Sequence, residues 1–234
     1  KKTVKPAHKL KRAELMAREK FLLEVTSLPT AAGHEGAVVE LVERWAARRR
    51  GRVVLNRDRC GNLVLAQRGF KKARAKKAPL FITAHLDHPA FVALSVKGAD
   101  VELEFRGGVH DVYFKGAAIE IFEPGLRRSF DARVTSLDAA AKPFKTVLAR
   151  LARPAAAAQI KPGCIARWKF PKAAVSKGLA RTHACDDLAS VAAALLAFDG
   201  ISRDRKLAHA AGPSPAVRGW SAWSVPAAFR TTRP

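Results

Sequence analysis

The sequence predicts an α/β fold interrupted by a β-rich insert. Three observations carry this. Apolar residues recur at helical spacing in residues 8–27, 34–50 and 188–198. Between the second and third of these stretches lies a long region of short strand-like runs punctuated by Gly and Pro. Hydrophobic residues make up 48% of the 234, ordinary for a folded globular protein, so wholesale disorder is excluded. At roughly 150 residues per domain the length suits one large or two small domains, with a core that needs no staples.

The elements follow in order. Leu15, Leu22 and Val25 define a first helix, which Pro29 ends. Val38, Val39, Leu41, Val42, Trp45 and Ala46 give the second an apolar stripe. Arg52–Asn56 and Asn62–Gln67 alternate and flank a polar turn with Gly61, which reads as a β-hairpin. A basic loop at 70–78 leads to Pro79–Ala84, whose Leu80-Phe81-Ile82 reads as a buried strand. Phe91–Val96, Val101–Phe105, Ala117–Phe122, Ala132–Thr135 and Ile165–Phe170 are strand-like. Gly107-Gly108, Pro124-Gly125 and Pro162-Gly163 separate them, as in a small β-barrel or sandwich. Pro154 and the four alanines after it read as an elaborated loop. Asp186-Asp187 then opens the helix Leu188–Phe198. The expected layout is an α/β portion over 1–91, the insert over 92–177, α/β again over 178–200, and a tail over 201–234.

The chain carries 43 Lys and Arg against 20 Asp and Glu, a net +23, with pI ≈ 10.8. Such a pI invites a nucleic-acid reading. Much of the charge, however, sits at the two ends and in one run, Lys71, Lys72, Arg74, Lys76 and Lys77. Residues 1–20 and 71–77 contain no aromatic side chain on which bases could stack. A solvated basic surface is favoured, and nucleic acid is not the expected partner. No apolar run reaches the ~18 residues of a membrane span, and the first twenty residues lack the pattern of a signal peptide. Cys60, Cys164 and Cys185 are too few and too scattered for a disulfide framework or a Cys-x-x-Cys zinc site. A cytoplasmic location is expected. Position 1 is not Met, so the chain reads as trimmed or partial.

Two clusters can carry chemistry. Ala84-His85-Leu86-Asp87-His88 directly follows the expected strand, and strand C-terminal ends are where α/β active sites form. There an imidazole can bind a metal while a carboxylate two residues on orients it; a satisfied histidine and a turn-forming Asp would share the same spacing. Cys185-Asp186-Asp187 opens a helix. One carboxylate suffices as a cap, which leaves the other free to bridge divalent cations.

These motifs, with others in order along residues 20–199, resemble the dinuclear-metal aminopeptidases known as glutamyl aminopeptidases, tetrahedral aminopeptidases or the cellulase M family. Phe21-Leu22-Leu23 through Ser27-Leu28-Pro29 and Gly33-His34-Glu35 are similar to the family's opening helix and Ser-Gly-x-Glu turn. Asp58-Arg59-Cys60-Gly61-Asn62-Leu63 resembles its Asp-x-x-Gly-Asn-Leu hairpin, Ala84-His85-Leu86-Asp87 its Ala-His-Met-Asp, Gly107-Gly108 a glycine pair of its inserted barrel, and Asp186-Asp187 its Asp-Asp. The resemblance implies a three-layer catalytic α/β domain with a mixed sheet, here incomplete, carrying an inserted small β-barrel. It implies that His85 and Asp186 are metal ligands, Asp186 bridging, and that Asp87 is the catalytic residue orienting His85. It further implies two Zn²⁺ or Co²⁺ ions that activate a water, with one or none held by this chain, peptide substrates, and a homo-oligomer. Shared coordination would place His85 and Asp186 side chains roughly 3–4 Å apart. There are departures: His88-Pro89-Ala90 stands where the family has Glu-Ile-Gly, and Leu188 where it commonly has Arg.

The resemblance stops after about Gly200. The family continues with a Glu-Glu pair, then a further carboxylate and His. Residues 201–234 hold one acidic residue, Asp204, beside two of the four Trp and four of the 13 Pro. This composition reads as a GC-rich gene translated in the wrong frame. Trp220–Pro226, read from one base earlier, can encode x-Val-Gly-(Leu/Met/Val)-Val-Gly-Ala, similar to the family's Val-Gly-Phe-x-Gly-Ala. A lineage-specific or disordered tail is the alternative. The expected function is a metal-dependent aminopeptidase impaired by loss of C-terminal ligands. The competing readings are a basic nucleic-acid-binding protein and a related dizinc amidohydrolase; the long insert between the two clusters favours the aminopeptidase.

Overall fold

The computed structural model describes residues 10–69, 81–203 and 216–218. The basic loop and most of the tail lie outside them. Helix α1 spans Arg12–Thr26 and α2 spans Gly36–Ala47. Val38, Leu41, Val42, Trp45 and Ala46 are buried as the stripe requires. Strands β1 (Val53–Arg57) and β2 (Leu63–Gln67) form the expected antiparallel hairpin. Strand β3 is Thr83–His85. The Pro79–Ala84 reading is corrected here: Phe81 is 54% exposed, and regular pairing begins only at Thr83. Pro79 and Leu80 lie outside the described residues, and among those described β3 is at the sheet's edge.

Next comes a closed antiparallel barrel of six strands: β4 (Ala90–Lys97), β5 (Asp100–Arg106), β6 (Ala118–Phe122), β7 (Ser129–Asp138), β8 (Lys145–Leu151) and β9 (Ile165–Trp168). Their order around it is β4-β5-β8-β7-β6-β9. The barrel thus resolves the barrel-or-sandwich alternative. Full closure leaves no unpaired strand edge. Strand β8 has no counterpart among the expected strands. Val147, Ala149 and Leu151 point inward, but Leu148 faces outward, which blurs the alternation. The Ala-rich loop is a short 3-10 turn, Pro154–Gln159. A small hairpin, β10 (Ala174–Ser176) with β11 (Leu179–Arg181), leads out of the barrel region.

Helix α3 runs Leu188–Arg203, five residues past the expected end. Strand β12 (Ala216–Arg218) pairs antiparallel with β2 and parallel with β3, giving the sheet order β1-β2-β12-β3. The segment read as an aberrant or disordered tail therefore includes a helical end and a strand. Among the described residues a small cluster of Ala31, Ala90, Val92 and Ile165 accompanies two larger apolar cores. One joins the helices to the sheet through Val25, Trp45, Leu63, Leu86, Leu188 and Phe198; the other fills the barrel.

Asp199 explains why α3 continues. Its carboxylate accepts hydrogen bonds from Arg49 (2.6 Å), Arg52 and Arg203 (2.6 Å). It thereby ties α3 to the turn between α2 and β1. Burial alone would raise its pKa, but the hydrogen bonds from Arg49 and Arg52, with the charges of Arg49 and Arg203, hold it below the ordinary carboxylate range. The folded state therefore binds this proton less readily than the unfolded chain. The resulting stabilisation is present above the unfolded pKa and is lost as pH falls through the folded one. Urea unfolding at descending pH should show Asp199→Asn destabilised near neutrality and converging on wild type as pH falls below the ordinary carboxylate range. Equal destabilisation at all pH values would show that the network acts by packing alone.

Candidate metal centre

The site forms where two distant segments meet beside the sheet. The first is the end of β3 with the residues after it. The second is the stretch from β11 to the start of α3. The separation in sequence is 101 residues, yet His85 Nε2 lies 3.2 Å from Asp186 Oδ1. His85 Nδ1 lies 3.1 Å from the Asp87 carbonyl oxygen and 3.2 Å from Asp87 Oδ1. The carbonyl is the hydrogen-bond partner. Oδ1 is close but off the bonding direction, and it is a buried oxygen without a hydrogen bond. The backbone N–H of His85 donates to Asp187 Oδ2 at 3.1 Å. His88 Nδ1 lies 2.7 Å from the Asp186 carbonyl. The Asp186–Asp187 peptide bond is cis.

Hydrogen-bond logic assigns the protons. A carbonyl oxygen can only accept, so both His85 and His88 carry a proton on Nδ1. In a neutral His85 ring, Nε2 then presents a lone pair toward the Asp186 carboxylate. Two acceptors at 3.2 Å repel unless a proton or a cation lies between them. Asp186 is open to such a cation, its side chain being 88% exposed against 33% for His85 and 22% for Asp87.

The donor chemistry fits one divalent cation on His85 and Asp186. The imidazole has its tautomer fixed through Nδ1 by a backbone carbonyl, as metal-bound histidines do. It does not fit a complete dinuclear centre. A catalytic zinc takes about three protein ligands, and among the described residues no group of three or more His, Cys, Asp and Glu is arranged to hold a metal.

Asp187 and His88 stand in the two clusters the sequence singles out, but the sequence assigns neither of them, nor His183, a part in the site. Asp187 holds the backbone of His85, and His88 holds that of Asp186. Nearby, His183 has a buried Nδ1 without a partner. Burial lowers its pKa, the Arg167 and His88 charges add to this, and Glu120 opposes them. Only the unusual His88-Pro89-Ala90 in place of Glu-Ile-Gly could have flagged His88. Pro89 has a separate job: a Cβ on Gly107 (φ +148) would come within 2.7 Å of the Pro89 Cβ. Only glycine lets the end of β5 pass this close to the site loop.

Between α2, the β1–β2 turn and the barrel runs a cleft of about 570 Å³, lined by His34, Glu35, Arg57, Cys60, Leu86 and Glu123 among others. Burial lowers the pKa of His34, the Arg106 charge adds to this, and Glu104 opposes it.

No protein-family sequence model matches the chain, nor does any curated protein sequence. Solved structures do. The chain is similar to an aminopeptidase from the archaeon Desulfurococcus kamchatkensis, with 18% identity over 80% of this chain and 52% of that one, and a TM-score of 0.61. It is similar to the TET1 peptidase of Pyrococcus horikoshii, which can assemble into a tetrahedron or a large octahedral shell, at 16% identity over 80% and 57%, TM-score 0.60. It is also similar to an endoglucanase of Thermotoga maritima at 19% identity over 77% and 55%, TM-score 0.53. The chain spans a little over half the length of each. The likeness establishes the fold, a mixed α/β unit carrying a closed barrel, as the resemblance to tetrahedral aminopeptidases and cellulase M implies. No helix among the described residues is long and apolar enough to cross a membrane.

Proposed function

We propose that this chain is a metal-dependent aminopeptidase in design, holding the part of the site that His85 and Asp186 make. The observation that carries the reading is the meeting of two acceptors, His85 Nε2 and Asp186 Oδ1, at 3.2 Å. His85 would be a terminal ligand and Asp186 the bridging one. The chemistry a divalent cation supplies at such a site is Lewis acidity toward water and a peptide carbonyl. Asp87 supports the imidazole from the Nδ1 side, and Asp187 keeps the strand end in place. Peptides are the substrates in this reading, a homo-oligomer the assembly and the cytoplasm the location. A second metal and the general base would need ligands beyond those described, from the segment that a one-base-earlier frame would encode.

Isothermal titration with Zn²⁺ or Co²⁺ tests this. The wild-type chain is expected to take up about one equivalent, and His85→Ala and Asp186→Asn are each expected to abolish it. Undiminished binding in the His85→Ala, Asp186→Asn double variant would place the cation elsewhere and overturn the reading.

A further inference from the structure

We infer that the connection between α1 and α2 positions the His85–Asp186 pair, with Thr30 and Thr26 as positioning residues for its two arms. This rests on the reading of that pair as the functional site. Asp186 is exposed, so packing does not place its side chain; its position follows from its backbone. The end of β3 is packed through buried Ala84 and Leu86, but among the described residues it is an edge strand, paired on one side only. Asp187 and His88 link the two arms directly, and their spacing depends also on what holds each backbone from outside the pair.

The α1–α2 connection touches both. Buried Thr30 donates its hydroxyl proton to the Leu86 carbonyl at 2.8 Å, between His85 and Asp87. At the end of α1, the carbonyl of buried Thr26 accepts from the backbone N–H of Ala184 and the hydroxyl of Thr182, both at 3.1 Å. The Thr182 hydroxyl also lies 2.6 Å from the Thr26 hydroxyl, which itself donates to the Leu22 carbonyl at 2.8 Å. One arm is thus gripped one residue from His85, the other two residues from Asp186.

The connection is itself held from the barrel. Arg167 Nη1 donates to the Ser27 carbonyl and Arg106 Nη1 to the Ala32 carbonyl, both at 2.7 Å. Each guanidinium is fixed by a barrel carboxylate, Glu120 for Arg167 and Glu104 for Arg106. Thr30 therefore sits between two braced carbonyls, and Thr26 directly precedes the first of them.

Thr30→Val keeps the side-chain shape and removes the hydroxyl, while Thr30→Ser keeps the hydroxyl. Long-range ¹H–¹⁵N spectra at fixed pH report the His85 ring nitrogens, and Zn²⁺ titration reports affinity. Thr30→Val is expected to shift the His85 Nδ1 resonance and to weaken Zn²⁺ binding about tenfold, in the range seen when support behind a ligand is removed. Thr30→Ser should restore both. Should Thr30→Val fail to fold, Thr182→Val reads the opposite arm with the same expectation. Wild-type His85 shifts and affinity in both valine variants would overturn the proposal, as would a Thr30→Ser variant no better than Thr30→Val. If wild type binds no Zn²⁺ while Thr30→Val still shifts His85 and Thr30→Ser restores it, the positioning role stands and the metal reading fails.

Discussion

Phe91→Ala is expected to cost about 3–5 kcal/mol of stability, the range for emptying a buried aromatic site. Phe91 is fully buried and is the second residue of β4. Its ring lies 4.8 Å from that of Trp168, 5.1 Å from Phe105 and 5.9 Å from Phe114, the last edge-on. Phe105, Phe114 and Trp168 also contact one another in edge-on geometry, the arrangement that aromatic quadrupoles favour. The four rings form one block inside a closed barrel, which cannot collapse to fill the void. Denaturant unfolding followed by near-ultraviolet circular dichroism would measure the loss, with Phe91→Leu clearly milder. A cost below about 1 kcal/mol, the level of an average substitution, would show that the cluster is loosely packed. Because Ala90 and Phe91 follow the His88-Pro89 turn directly, the same variant should also loosen the site loop.

The parts of this fold that were legible were those with a local signature. The stripe of α2 and the alternation of β2 and β5 each bury a single face, so hydropathy alone locates them. Strand β8 was lost because outward Leu148 and inward Ala149 reverse the expected polarity. Strand β3 was misplaced because Leu80-Phe81-Ile82 has the composition of an interior strand, whereas the regular pairing lies three residues later. The end of α3 was misread because Asp199-Gly200 looks like a stop; the three arginines that bind Asp199 override it, and two of them lie about 150 residues away. The site divides in the same way. His85 and Asp186 could be singled out by motif, and the structure brings them within the spacing expected of shared ligands. Their supports could not. Thr30 reaches Leu86 across 56 residues and Thr182 reaches Thr26 across 156, and a hydrogen bond to a distant carbonyl leaves no pattern in either segment.

The polypeptide of this sequence is expected to show little or no aminopeptidase turnover, even when loaded with Zn²⁺ or Co²⁺. His85 and Asp186 are two donors where one catalytic zinc needs about three protein ligands. No Glu follows Asp187 in the sequence, so that stretch offers no glutamate for the general base that the proposed reading requires. Loss of positioned acid–base help alone typically costs ~10²–10⁴-fold in rate. The remaining carboxylates after Asp187 are Asp199, committed to its arginines, and Asp204. A version read one base earlier after about residue 200, where that frame encodes a Glu-Glu pair, should gain metal affinity and turnover together. The two gains must be linked, because one of those carboxylates would ligate and the other would move the proton. An amino-acid p-nitroanilide assay on both polypeptides at matched metal loading makes the comparison. Turnover from the unaltered chain equal to that of the re-framed one would mean that ligand and base come from residues other than those inferred, and that the tail does not limit the chemistry.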